Sequence, residues 1–164
     1  MQALKPSNEP SLELDREIKR EQRISALINI VLSGLFFLLV FGSERSALQM
    51  GRPDNFALDF FAQASAIALM SAIVPSLLLL ARLKRSGLLQ APSTGLGRTA
   101  ALVFAIGITS AAMLAAACLA GPWKEIEWFV ALPIKLAYGG ALGVAGTTIA
   151  LRTLLKRYRV GERV

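Results

Sequence analysis

Two side chains in this sequence could carry charge chemistry in an apolar setting, Asp59 and Lys135. Asp59 stands near the start of one apolar run. Lys135 lies a few residues into another, within Pro133-Ile-Lys-Leu-Ala-Tyr-Gly-Gly-Ala-Leu-Gly-Val-Ala-Gly-Thr-Thr148. A buried ammonium can bind an anionic solute or cycle a proton, and a carboxylate beside it makes an intramembrane ion pair. Lys135 also has a plainer use. Helical side chains lean towards the N-terminus, so its stem can snorkel to the head groups at that end. Asp59, in the first turn of its run, would gain about 0.3–1 kcal/mol from the positive end of the helix dipole if exposed. The two could meet if their helices are neighbours.

The remaining inventory narrows the chemistry further. The chain has no histidine, which removes histidine-ligated haem, histidine-based metal sites and every His-dependent acid–base system. Cys118 is the single cysteine, so no intramolecular disulfide forms, and its Ala-rich surroundings suit a buried free thiol. Ser33, Ser65, Ser71, Ser76, Thr109 and Ser110 have no base to activate them, and no glycine-rich phosphate loop follows a strand. The expectation is a protein that is not an enzyme, with no catalytic, cofactor-binding or metal residues.

The elements that must position these residues follow from composition. Hydrophobic residues make up 54% of the 164, and the mean hydropathy is +0.54. That suits four apolar runs of about twenty residues, each the length a hydrocarbon core of about 30 Å requires. The reading is an all-α membrane protein, a four-transmembrane-helix bundle. Residues 1–23 form an N-terminal segment, disordered to Pro10 and then an amphipathic helix that Ser11 can cap. The membrane domain is 24–151, with spans at about 24–42, 56–81, 99–120 and 129–151. Residues 152–164 form a basic tail without further structure.

Within the spans, small residues recur at helical spacing. Gly139, Gly143 and Thr147 form one ridge and Gly107, Ala111 and Ala115 another, and the plain expectation is that the two pack together. Homodimerisation through the Gly139 ridge is the alternative. Ala64, Ala68 and Ala72 mark a third close-packing face, and Pro75 is expected to kink its helix at the freed Ser71 carbonyl. Asn29, the only amide of the first span, should bond to a neighbouring helix. Trp123 and Trp128 fit an interfacial aromatic belt.

The net charge of +7 is carried at the ends of the apolar runs, a pattern suited to anionic lipid rather than to nucleic acid. Fourteen lysines and arginines lie in the N-terminal segment, the 82–98 loop and the tail, against three in the 43–55 and 121–128 loops. The positive-inside rule therefore places both termini in the cytoplasm, and the compact loops suit a bacterial inner membrane. Leu79-Leu-Ala-Arg-Leu-Lys-Arg85 also resembles Leu151-Arg-Thr-Leu-Leu-Lys-Arg157 at an offset of 72 residues. This suggests two tandem helix hairpins in parallel repeat. The functional expectation is a non-catalytic accessory or assembly component that acts through helix contacts, with the bilayer and a homo-oligomer or membrane-protein partner around it. The alternative is a subunit of an oligomeric small-solute transporter or exporter.

Overall fold

The computed structural model describes residues 9–85 and 95–161. Its helices are α1 (Glu9–Phe41), α2 (Phe56–Arg85), α3 (Leu96–Ala120) and α4 (Trp128–Gly161). Each contains a stretch long and apolar enough to cross a membrane: Ile18–Phe41, Phe56–Leu78, Leu96–Ala120 and Trp128–Thr153. These run to 23–26 residues, which at 1.5 Å per residue exceeds a hydrocarbon core of about 30 Å. The described residues therefore form a four-helix bundle suited to being embedded in a membrane.

Three local expectations change. The amphipathic segment is not a separate surface helix, since α1 runs unbroken from Glu9 into the first span and already includes Ser11, which does not cap it. The tail is not structureless, because α4 continues through the basic run to Gly161. Alternating Arg, Leu and Lys side chains are good helix formers, so nothing stops the helix where hydropathy falls. α2 likewise runs past Ala81, where the apolar span was expected to end, to Arg85, with Pro75 inside it. The expected disorder of residues 1–8 lies outside the described residues.

The helices do not pack as two hairpins. α2 and α4 form the centre, α1 rests mainly on α4, and α3 rests mainly on α2; each hairpin's own two helices touch far less. The faces explain this. α1 buries the single stripe Ser25, Asn29, Ser33 and Phe37, while α3 buries Thr99, Val103, Gly107, Ala111 and Ala115. One residue per turn covers one partner and leaves the rest of each outer helix to lipid: Leu27, Leu35 and Leu39 on α1 are 62–80% exposed.

At one end of the bundle the two connecting loops join. β1 (Leu48–Gln49) and β2 (Glu125–Ile126) pair antiparallel, with Leu48 opposite Ile126 and Gln49 opposite Glu125. The Gln49 amide N–H donates to Asp54 Oδ2 at 2.8 Å, and its side chain donates to Glu125 at 2.7 Å. This ribbon end buries Leu48 and Met50 over a cluster of Phe37, Phe56, Phe60 and Trp128. Trp128 is therefore core rather than belt: it lies 5.5 Å from Phe37 in a T-shaped pair, and its indole N–H points to the Gly42 carbonyl. Trp123 remains exposed.

Candidate functional site

Asp59 and Lys135 meet beneath the ribbon. Lys135 lies two turns into α4 and Asp59 one turn into α2; the two helices are central neighbours, so both side chains enter the same interface near one end. Lys135 Nζ is 2.8 Å from Asp59 Oδ2, and the lysine side chain is 1% exposed. The ammonium also donates to the Phe56 carbonyl at 3.5 Å, and its nitrogen stands 3.7 Å from the Phe60 ring centroid and 4.7 Å from that of Phe56. A carboxylate, a carbonyl and two aromatic faces thus replace the water that a buried ammonium loses. The stem does not snorkel to the surface. Phe60 in turn meets Tyr138 edge-on at 5.2 Å, and the Tyr138 hydroxyl pairs with Ser110 at 2.9 Å, which ties α3 to α4.

From this pair a seam of neutral polar groups continues towards the other end, between α1, α2 and α4. One turn below Asp59, the Gln63 amide donates to the Lys135 carbonyl and to Ser33 Oγ, both at 2.8 Å. Next comes Asn29, whose Nδ2 donates to the Ser25 carbonyl at 2.8 Å, within α1 and not across helices as expected. The Ser25 hydroxyl donates to the Gly143 carbonyl at 3.1 Å. Thr147 Oγ1 lies 2.8 Å from Ser25 Oγ and 3.4 Å from the Ser71 carbonyl, and donates to one or the other. Pro75 is what leaves that carbonyl without its own helical donor. Gln22 and Thr148 close the seam at 2.7 Å.

The glycine ridge of α4 makes this seam possible, and it faces a different helix from the one expected. A Cβ on Gly139 would collide with Ser33 and Gln63, and one on Gly143 with Asn29. A Cβ on Gly146 would collide with Ser71. The ridge therefore receives the polar stripe of α1, with α2 beside it. The Gly107, Ala111 and Ala115 ridge packs on α2 instead: a Cβ on Gly107 would stand 2.9 Å from Ala68 Cβ and 3.5 Å from the Ala64 carbonyl. Ala64, Ala68 and Ala72 are fully buried there. The physical reason is chemical matching. Glycine exposes the Gly143 carbonyl that the Ser25 hydroxyl uses and leaves room for Asn29 and Ser33, whereas alanine on alanine offers only close packing.

Sequence reasoning picked out Asp59, Lys135 and Asn29 but missed Ser25, Ser33 and Gln63 as partners in one seam. The available signal was Ser25, Asn29 and Ser33 at four-residue spacing, a polar stripe on an otherwise apolar helix. Cys118 is a half-buried free thiol packed beside the aromatic cluster. Among the described residues, no three His, Cys, Asp or Glu side chains group as metal ligands. No family model, curated protein or solved structure matches the chain.

Proposed function

We propose that this chain is a non-catalytic component of a bacterial inner membrane, a rigid helical scaffold that supports a membrane-protein partner through its lipid-facing helices. One observation carries the reading: the two ionisable side chains of the spans, and several of their neutral polar groups, join helices to one another. Lys135 and Asp59 neutralise each other under an aromatic and ribbon cap, and Gln63, Ser25, Thr147 and Gln22 each bridge two helices. A carrier has to break and remake such ties in every cycle, whereas a scaffold keeps them. The exposed faces of α1 and α3, which carry Leu27, Leu35, Leu39, Leu102, Ile106 and Met113, are the surfaces left for a partner.

In this reading the ribbon end faces outward and both termini are cytoplasmic, as the distribution of basic residues requires. The fold also supports an origin by hairpin duplication. Exchanging the two hairpins turns the α1–α4 contact into α3–α2, the two largest interfaces of the bundle. The β1–β2 pairing is its own counterpart under the same exchange. Ser25, Asn29, Ser33 and Phe37 likewise fall 74 residues before Thr99, Val103, Gly107 and Ala111, all of them buried.

The deciding experiment is purification of the tagged full-length chain in mild detergent after cross-linking in cells. A stoichiometric membrane-protein partner that survives both steps supports the scaffold. A homodimer without a partner, able to move solute across reconstituted vesicles, replaces it with the transporter reading. The observation favouring that second reading is the polar seam itself, which runs through most of the bundle's depth.

A further inference from the structure

Because α1 leans on α4 rather than on α2, the two helices of the first hairpin meet only lightly and leave a groove between them. Two cavities occupy it. The smaller, about 30 Å³, is bordered by Asn29, Ser33 and Gln63; the larger, about 180 Å³, by Ser25, Asn29 and Ser71. Asn29 and Met70 border both, so the cavities are stacked along the groove. Ile28, Met70, Val74 and Leu78 on the rim of the larger one are about half exposed, so it opens sideways to the hydrocarbon rather than along the bundle axis.

The groove is bordered by two residues whose amide oxygens accept nothing from the described residues. Asn29 Oδ1 and Gln63 Oε1 are buried without a partner among the described residues, on side chains whose residues are only 3% and 4% exposed. Amide orientation does not account for them. In each residue the nitrogen donates to a backbone carbonyl, Ser25 for Asn29 and Lys135 for Gln63, so turning the amide over would set oxygen against oxygen. An acceptor left unmatched in a nonpolar interior is destabilising until a donor arrives.

We propose that this groove binds a lipophilic ligand of the bilayer, a single chain or flat ring carrying a hydroxyl or N–H donor that reaches Asn29 Oδ1, with Gln63 Oε1 as a second acceptor. Size selects this occupant. A partner helix about 10–12 Å across does not enter a gap whose walls still touch. Water suits the smaller cavity, but the aliphatic walls of the larger one call for an apolar body. Neither oxygen reaches the surface as the helices stand, so binding parts α1 from α2, the weakest of the helix contacts that line the groove.

The test uses full-length protein in phosphatidylcholine nanodiscs, labelled with a diazirine-bearing hexadecanol or with its methyl ether, and adducts are mapped by mass spectrometry. One hydrogen bond corresponds to about a five-fold preference. The expected result is about that excess of alcohol over ether on Ile28, Met70 and Val74. Asn29→Leu lowers it to the ether's level. Val74→Trp, a change on the lipid-facing rim that fills the larger cavity, abolishes it without touching the polar seam, and decides the matter if Asn29→Leu does not fold. Equal labelling by alcohol and ether overturns the proposal, as does a preference that survives Val74→Trp. Adducts spread evenly over Leu35 and Leu39 overturn it too, as does a protein segment cross-linked into the groove in place of the alcohol.

Discussion

Removing the charge of Lys135 alone tests how the ribbon end is held. With the lysine side chain 1% exposed and Asp59 11% exposed, Lys135→Met strands a carboxylate 2.8 Å from where its counter-ion stood. Breaking one side of such a buried pair costs about 3–5 kcal/mol, whereas replacing both members with apolar groups of similar size is about neutral. Asp59→Leu strands the ammonium, but the faces of Phe60 and Phe56 and the Phe56 carbonyl remain. It should therefore fall at the lower end of that range. The double change Lys135→Met with Asp59→Leu should recover most of the loss, leaving a coupling of about 3 kcal/mol. Reversible unfolding in mixed micelles, followed by the fluorescence of Trp128 against the aromatic cluster, measures all three variants. If each single change costs under about 1 kcal/mol, or the double change costs the sum of the two, the pair contributes nothing to the fold and the reasoning fails.

The glycine ridge gives a sharper steric test. Gly143→Ala drives a methyl into Asn29 and should cost about 1–3 kcal/mol, recovered in part by Asn29→Ala in the same unfolding assay. Gly140→Ala would bring its methyl 2.9 Å from Ile30 Cγ1 and 3.1 Å from its Cδ1, and because Ile30 is 37% exposed and can turn away, it should cost less than Gly143→Ala; a loss as large as that of Gly143→Ala would show the ridge is not specific. Gln63→Leu removes two interhelical hydrogen bonds, worth about 0.6 kcal/mol each in membranes, together with one unmatched oxygen that costs about 1–3 kcal/mol. It should leave stability unchanged or raise it, and a clear loss would mean that oxygen has a partner. Gly143→Ala paired with Asn29→Ala should also leave the detergent-measured oligomeric state unchanged, because the ridge is already filled by α1; a shift in elution in that relieved variant would revive the dimer reading.

The spans were legible because a membrane asks one thing of each, a long enough apolar stretch, and hydropathy reports that directly. Helix ends were less legible: Arg152, Lys156, Arg157 and Arg159 lower the hydropathy of the last stretch, so the apolar span ends there while the backbone continues as helix. The neighbours were not legible at all. A small residue every fourth position says that something approaches closely, without saying what, and three such ridges lie in three different helices. What separates them is the chemistry opposite. Ser25 suits the bare carbonyl of Gly143, and Asn29 and Ser33 fill the space that Gly143 and Gly139 leave, while Gly107 suits Ala64 and Ala68. Asp59 and Lys135 were visible as the two ionisable residues in apolar runs, but only the central position of α2 and α4 brings them together.

The crossed packing of α1 on α4 also fixes an order of assembly. α1 is synthesised before α4, so the helix it rests on most does not exist until α4 has been made. Until then the Ser25, Asn29 and Ser33 stripe has only α2, through Gln63 and Ser33, beside lipid and the insertion machinery, and a chain stopped before α4 leaves most of it uncovered. Late closure of this kind makes α1 a reporter of synthesis: a firmly seated α1 means that α4 has been made and has docked.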